Sequence, residues 1–75
     1  MASAIFVAPM TPSGPTLDME LISDGTEGYG FAVIGQVPQD NACLVRIWSS
    51  EDVLAAMAAD ANYEFIEDVP DGESS

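Results

Sequence analysis

Residues 42–69 constrain the fold more than any other part of the chain. Ala42-Cys43-Leu44-Val45-Arg46-Ile47-Trp48 is apolar on both faces except for Arg46, the pattern of a central strand covered on two sides. Ser49-Ser50-Glu51-Asp52 follows as a helix start. A serine hydroxyl there accepts from the first unpaired amides, and Glu51 and Asp52 suit the positive end of the helix dipole. Val53, Leu54 and Met57 then fall on one face at i, i+3, i+4 spacing, with alanines between them that favour helix. Asp60-Ala61-Asn62 stops the helix, and residues 63–69 return as a strand. The connection is just long enough to cross between parallel strands.

The first half reads as further strands joined by turns. Residues 3–8 form a β-prone run ended by Pro9. Residues 9–16 contain Pro9, Pro12 and Pro15, and their fixed φ and missing donors predict an extended arm rather than a ladder strand. Leu17-Asp18-Met19-Glu20-Leu21-Ile22 alternates apolar and acidic, which predicts a half-buried strand. A turn around Asp24-Gly25 leads to a longer strand at 29–37, where Gly30 and Gly35 suggest a bulge, a bend or a close backbone approach. Pro38-Gln39-Asp40-Asn41 is a tight connection. The expected fold is α+β: a small mixed β-sheet of four or five strands with one short helix on a face, the other face being open. Three segments follow: an N-terminal strand with a Pro-rich arm (1–16), an α+β domain (17–69) and a disordered acidic tail (70–75).

Charge removes much of function space. One Arg stands against 13 Asp and Glu, with no Lys or His, for a formal charge of −12. At 48% hydrophobic content this is not a disordered acidic chain. A single cation does not neutralise several phosphates, so neither direct nucleic-acid binding nor attraction to anionic membranes is expected. The run at 4–8 is too short for a signal peptide and follows no basic residue, and no apolar stretch is of membrane-spanning length. Without His or Lys the usual general base, Schiff-base amine and phosphate-loop lysine are missing. Cys43, the one cysteine, has no His, Lys or second Cys to lower its pKa, sits inside an apolar strand and reads as an inert buried thiol. Asp24-Gly25-Thr26-Glu27 lacks the alternating ligands of a calcium loop. No catalytic residue, metal, cofactor or small-molecule substrate is expected, and the chain reads as non-enzymatic.

What remains points to protein partners. Arg46 in an apolar strand calls for a carboxylate, with Glu64 or Asp68 on a neighbouring strand as candidates, or for a place at a partner interface. Trp48 shares its strand face. Gly28-Tyr29-Gly30-Phe31 superficially matches an RNA-binding aromatic strand, but acids flank it where that motif needs cations. Arg46, Trp48, Tyr29 and Phe31 are the candidate interface side chains, together with Pro9, Pro12 and Pro15 as an arm that loses little entropy on docking to a neighbour. A domain of this size, without staples and with many like charges, favours self-assembly or a partner.

Residues 43–60, with their SSEDVLAAMAAD helix, and Tyr63-Glu64-Phe65-Ile66-Glu67-Asp68-Val69 resemble small proteins of tailed bacteriophages in their strand, short helix, aromatic return strand and acidic tail. The resemblance implies a virion structural or accessory component (head, neck, tail or capsid decoration), located in the virion or host cytoplasm. The alternative is an anti-CRISPR-like inhibitor of a host defence protein, with Asp18, Glu20, Asp24 and Glu27 among the acids that mimic nucleic acid on a basic partner.

Overall fold

In the computed structural model, which describes residues 2–23 and 27–69, the sheet is built around its first strand. The order along the chain is β1 (Ala2–Thr11), β2 (Gly14–Pro15), α1 (Met19–Ile22), β3 (Gly30–Val37), a 3-10 turn (Pro38–Asp40), β4 (Ala42–Ser49), α2 (Glu51–Ala58) and β5 (Glu64–Val69). Across the sheet β3 pairs with β4, β4 with β1, and β1 with β5, while β2 pairs with the far end of β1 on the β5 side. The fold is α+β, as expected. Every pairing among the described residues is antiparallel, however, so the sheet they form is not mixed. β4 and β5 do run parallel to each other, but β1 lies between them. The helical crossover therefore spans an intervening strand instead of joining neighbours. The Asp24-Gly25 turn, with most of its calcium-like stretch, and the 70–75 tail lie outside the described residues.

The expected Pro-rich arm is part of the sheet, and residue 16 marks no structural boundary. β1 continues through Pro9, which sits opposite Ala42 of β4. The Pro9 carbonyl accepts from the Thr16 amide at 2.8 Å, and the Met10 amide donates to the Asn41 carbonyl at 3.0 Å. Alternation along the strand thus turns the backbone of Pro9 away from β4, into the gap between β5, whose pairing ends at Val7, and β2, whose pairing begins at Met10. The proline ring removes no ladder bond there. The chain then folds back at Pro12 and Ser13: the Thr11 hydroxyl donates to the Gly14 carbonyl at 2.9 Å and accepts from the Ser13 amide at 3.2 Å.

Residues 17–22 are also not a strand. Asp18 caps a single helical turn, its Oδ1 accepting from the Leu21 amide at 3.1 Å. Leu17 before the cap and Leu21 pack against the core, in which Ile22 is fully buried. Six alternating residues fit a strand, but the cap and the burial of consecutive Leu21 and Ile22 favour the turn.

One face of the sheet holds the core. Ala4, Phe6 and Ala8 of β1 stand opposite Ile47, Val45 and Cys43 of β4, and Val53, Leu54 and Met57 of α2 cover them. The helix forms as the sequence predicts, with Ser50 as its cap accepting from the Val53 amide at 3.2 Å. Ser49 is instead buried and donates to the Ile22 carbonyl at 2.6 Å, tying α1 to β4. Phe6 meets Phe65 and Tyr63 edge-on at centroid distances of 5.8 and 6.4 Å.

Candidate protein interaction surface

Residues opposite each other in an antiparallel ladder share a face, so the register also defines the sheet's second face. It carries Ser3, Ile5 and Val7 of β1, Leu44, Arg46 and Trp48 of β4, Gly30, Ala32, Gly35 and Val37 of β3, and Glu64, Glu67 and Val69 of β5. Both helices lie on the core face, and none of the residues on this second face joins the core cluster. Ile5, Val7, Val37, Leu44 and Trp48 are half-buried. The expectation that β4 is covered on two sides is therefore half corrected: it is an interior strand, flanked by β1 and β3, but helices cover only one of its faces.

Arg46 occupies the middle of this open face. Its Nε and Nη2 donate to the Ser3 hydroxyl at 3.2 and 3.0 Å, and that hydroxyl donates in turn to the Val69 carbonyl at 3.0 Å. The guanidinium also stacks on Trp48. Among the described residues no carboxylate completes an ion pair with it, contrary to the expected bridge to Glu64 or Asp68. The register gives the reason. β1 separates β4 from β5, Asp68 stands opposite Ala4 on the core face, and Glu64 stands opposite Val7, out of line with Arg46. Glu67 does share the Arg46 row, but Ile5 lies between them, which puts the two backbones two strand spacings, roughly 9.6 Å, apart.

The other candidate residues do not join this site. Phe31 stands opposite Ile47, on the core side, at a place the helices do not reach, and it is 42% exposed. Tyr29, Val33 and Ile34 extend the same exposed strip. A register shift between Val33 and Gly35 makes Ile34 a bulged residue, which fits the bulge expected from the glycine pattern. Pro9 is exposed at the end of β1, and Pro12 and Pro15 belong to the hairpin. Sequence reasoning missed Ser3, the residue that holds Arg46, and missed Val33 and Ile34. For the latter pair the signal was present, since Gly30–Val37 carries no charge in an otherwise acidic chain.

Cys43 is fully buried, and desolvation pushes its thiol pKa above the ordinary value. A shallow depression of about 270 Å³ lies between the end of β1 and the loop before β5, with Asp40 and Glu64 beside Pro9, Asn41 and Tyr63. Among the described residues no three ligating side chains gather as a metal site would need, and no helix is long and apolar enough to cross a membrane. No family model, curated protein or solved structure matches the chain.

Proposed function

We propose that this chain is a non-enzymatic structural or accessory protein that acts by protein–protein assembly, as a component of a bacteriophage particle. The open sheet face supports the assembly part of this reading, and the resemblance of residues 43–60 and 63–69 to small tailed-phage proteins is what suggests the particle. An apolar surface of Ile5, Val7, Val37, Leu44 and Trp48 surrounds the single cation of the chain, and both helices lie on the opposite side. Apolar area left in water forfeits about 25 cal/mol per Å² relative to burial, so a partner that covers it gains stability. An Arg stacked on a Trp is the composition of an interface anchor. The nucleic-acid-mimic alternative draws less support from the placement of the acids. Glu51 and Asp52 begin α2 on the core side, whereas Glu64 and Glu67 lie along the open face.

The test compares particles produced with the wild-type chain and with Trp48→Glu or Leu44→Glu, sedimented at ~150 mM and ~1 M salt. Wild-type chain retained in the particles at both salts, and lost in variants that melt normally, supports assembly through the open face. A chain absent from particles that instead binds a basic host protein, with affinity falling steeply with salt, replaces this reading with the mimic.

A further inference from the structure

The two long edges of the sheet are built differently. β5 carries Glu64, Glu67 and Asp68 within its six residues and has a register irregularity opposite Ile5 and Phe6, devices that keep a free edge from pairing. β3 is the edge beyond β4, and its eight residues, GFAVIGQV, contain no ionisable side chain and no proline. Tyr29 just before it and Phe31, Val33 and Ile34 along it are 46, 42, 44 and 50% exposed, the densest run of exposed large apolar residues among those described. Among the described residues only its bulge at Ile34 guards it.

We infer that β3 is a pairing edge for a second copy of this chain, joined antiparallel about a two-fold axis so that the two sheets become one. Charge selects the occupant. Two chains of formal charge −12 repel, and approach through β5 would set carboxylates against carboxylates. β3 is the long strand that brings two copies together with no carboxylate opposite another. A basic partner would find its complement on β5 or at the acidic start of α2, not on an uncharged strand. The sheet pairs antiparallel among the described residues, and a strand joined to its copy by a two-fold axis normal to the sheet is antiparallel too. Residues 30–33 ahead of the bulge supply the regular stretch that pairs. Phe31 and Val33, which lie on the core side of the sheet, then meet their copies across the axis and shield one another beyond the reach of the helices. This interface is separate from the open face proposed above, and either can fail without the other.

Sedimentation equilibrium of the full chain at ~150 mM salt, over a concentration series, reads the dimer directly. The wild-type chain is expected to dimerise, and Val33→Lys to weaken the dimer roughly tenfold or more, the factor ~1.4 kcal/mol represents, although it lowers the net charge and so relieves overall repulsion. Glu67→Lys, with a larger charge change on the opposite edge, and Trp48→Glu on the open face are expected to remain dimeric. Should Val33→Lys not fold, amide exchange of the wild-type chain serves instead, with protection of residues 30–33 rising with protein concentration. A wild-type chain monomeric throughout the series, a Val33→Lys dimer of undiminished affinity, dissociation by Trp48→Glu instead, or concentration-independent exchange at 30–33 would each overturn the inference.

Discussion

The guanidinium carbon of Arg46 lies 4.7 Å from the centroid of the Trp48 ring, while the same group donates twice to the hydroxyl of Ser3. The lone cation is thus held by an aromatic ring and a neutral oxygen. Arg46→Ala removes a stacking contact and hydrogen bonds, and strands no described carboxylate. The expected cost is about 1–2 kcal/mol by denaturant unfolding, below the ~3–5 kcal/mol of an orphaned buried acid. Arg46→Lys keeps the charge but loses the planar fork, and falls between the two. A loss well above that range for Arg46→Ala would mean that a carboxylate depends on Arg46 after all.

Ser49 and Ser50 are adjacent and do different work. Ser50→Ala removes the cap of α2 and is expected to cost about 1 kcal/mol. Ser49→Ala leaves the Ile22 carbonyl without its 2.6 Å donor in a buried site and is expected to cost more, about 1–3 kcal/mol. Chemical denaturation of the two variants ranks them, and an equal or reversed order would show that the link between α1 and β4 adds little.

This pair also marks where the sequence was legible. The α2 stripe of Val53, Leu54 and Met57 and the strands on either side of it follow from spacing that is local to the chain, and they fold as read. Relationships set across the sheet were not legible. Nothing local shows that β1 inserts between β4 and β5, and that insertion alone takes Arg46 away from Glu64 and gives it Ser3. It also accommodates Pro9 inside a strand, since the proline ring faces a gap visible only once β2 and β5 are placed. α1 had a readable signal in the Asp18 cap, with Leu17 before it and Ile22 four residues after, which the shorter alternating pattern masked. For the candidate surface, the Arg46–Trp48 pairing on one strand face was legible from period two, whereas the openness of that face was not. Leu44 and Trp48 look like core residues until the helices are known to lie on the other side.

Backbone conformation separates two glycines. Gly14 has φ +129, a region that side chains rarely adopt, so Gly14→Ala is expected to destabilise by about 1–3 kcal/mol although its Cβ would meet nothing. Gly30 has open space for a Cβ and no positive φ. Gly30→Ala is expected to be neutral or to stabilise by up to about 1 kcal/mol through the unfolded chain. Thermal melts are expected to show a lowered Tm for Gly14→Ala and no lowering for Gly30→Ala, and a strongly destabilised Gly30→Ala would indicate that another chain approaches β3 closely there.

Burial of Cys43 links stability to alkaline pH. Desolvation raises the folded-state pKa above the ordinary 9.0, so above that pH the unfolded chain releases a proton that the folded chain retains. Stability attributable to this group is therefore complete below about pH 9 and declines as pH rises toward and through the folded value. Wild-type stability should drop more steeply between neutral and strongly alkaline pH than that of Cys43→Ala, which lacks the ionisable group. A thiol reagent at neutral pH should modify Cys43 only as fast as the protein opens. Parallel pH curves for the two proteins, or rapid labelling of the native state, would show the thiol to be accessible.

Ionic strength should stabilise the folded chain. The molecule measures 34 × 26 × 21 Å, and the Debye length is ~30 Å at 0.01 M salt but ~8 Å at 0.15 M. At low salt each carboxylate therefore feels nearly every other across the fold, and at moderate salt only its neighbours. Unfolding separates these charges, so repulsion acts mainly on the compact state, and one Arg against 13 acids offsets little of it. The Tm is expected to rise by several degrees between ~10 and ~150 mM salt. Dimerisation through β3 would add to the same trend, so the measurement is made on the Val33→Lys variant at a concentration where sedimentation shows it monomeric. A sodium chloride series with a chloride-free sulfate control separates screening from ion-specific effects. An unchanged Tm across the chloride series would mean that the carboxylates stand far enough apart, or near enough to backbone donors such as the first amides of α2, for their mutual repulsion not to govern stability.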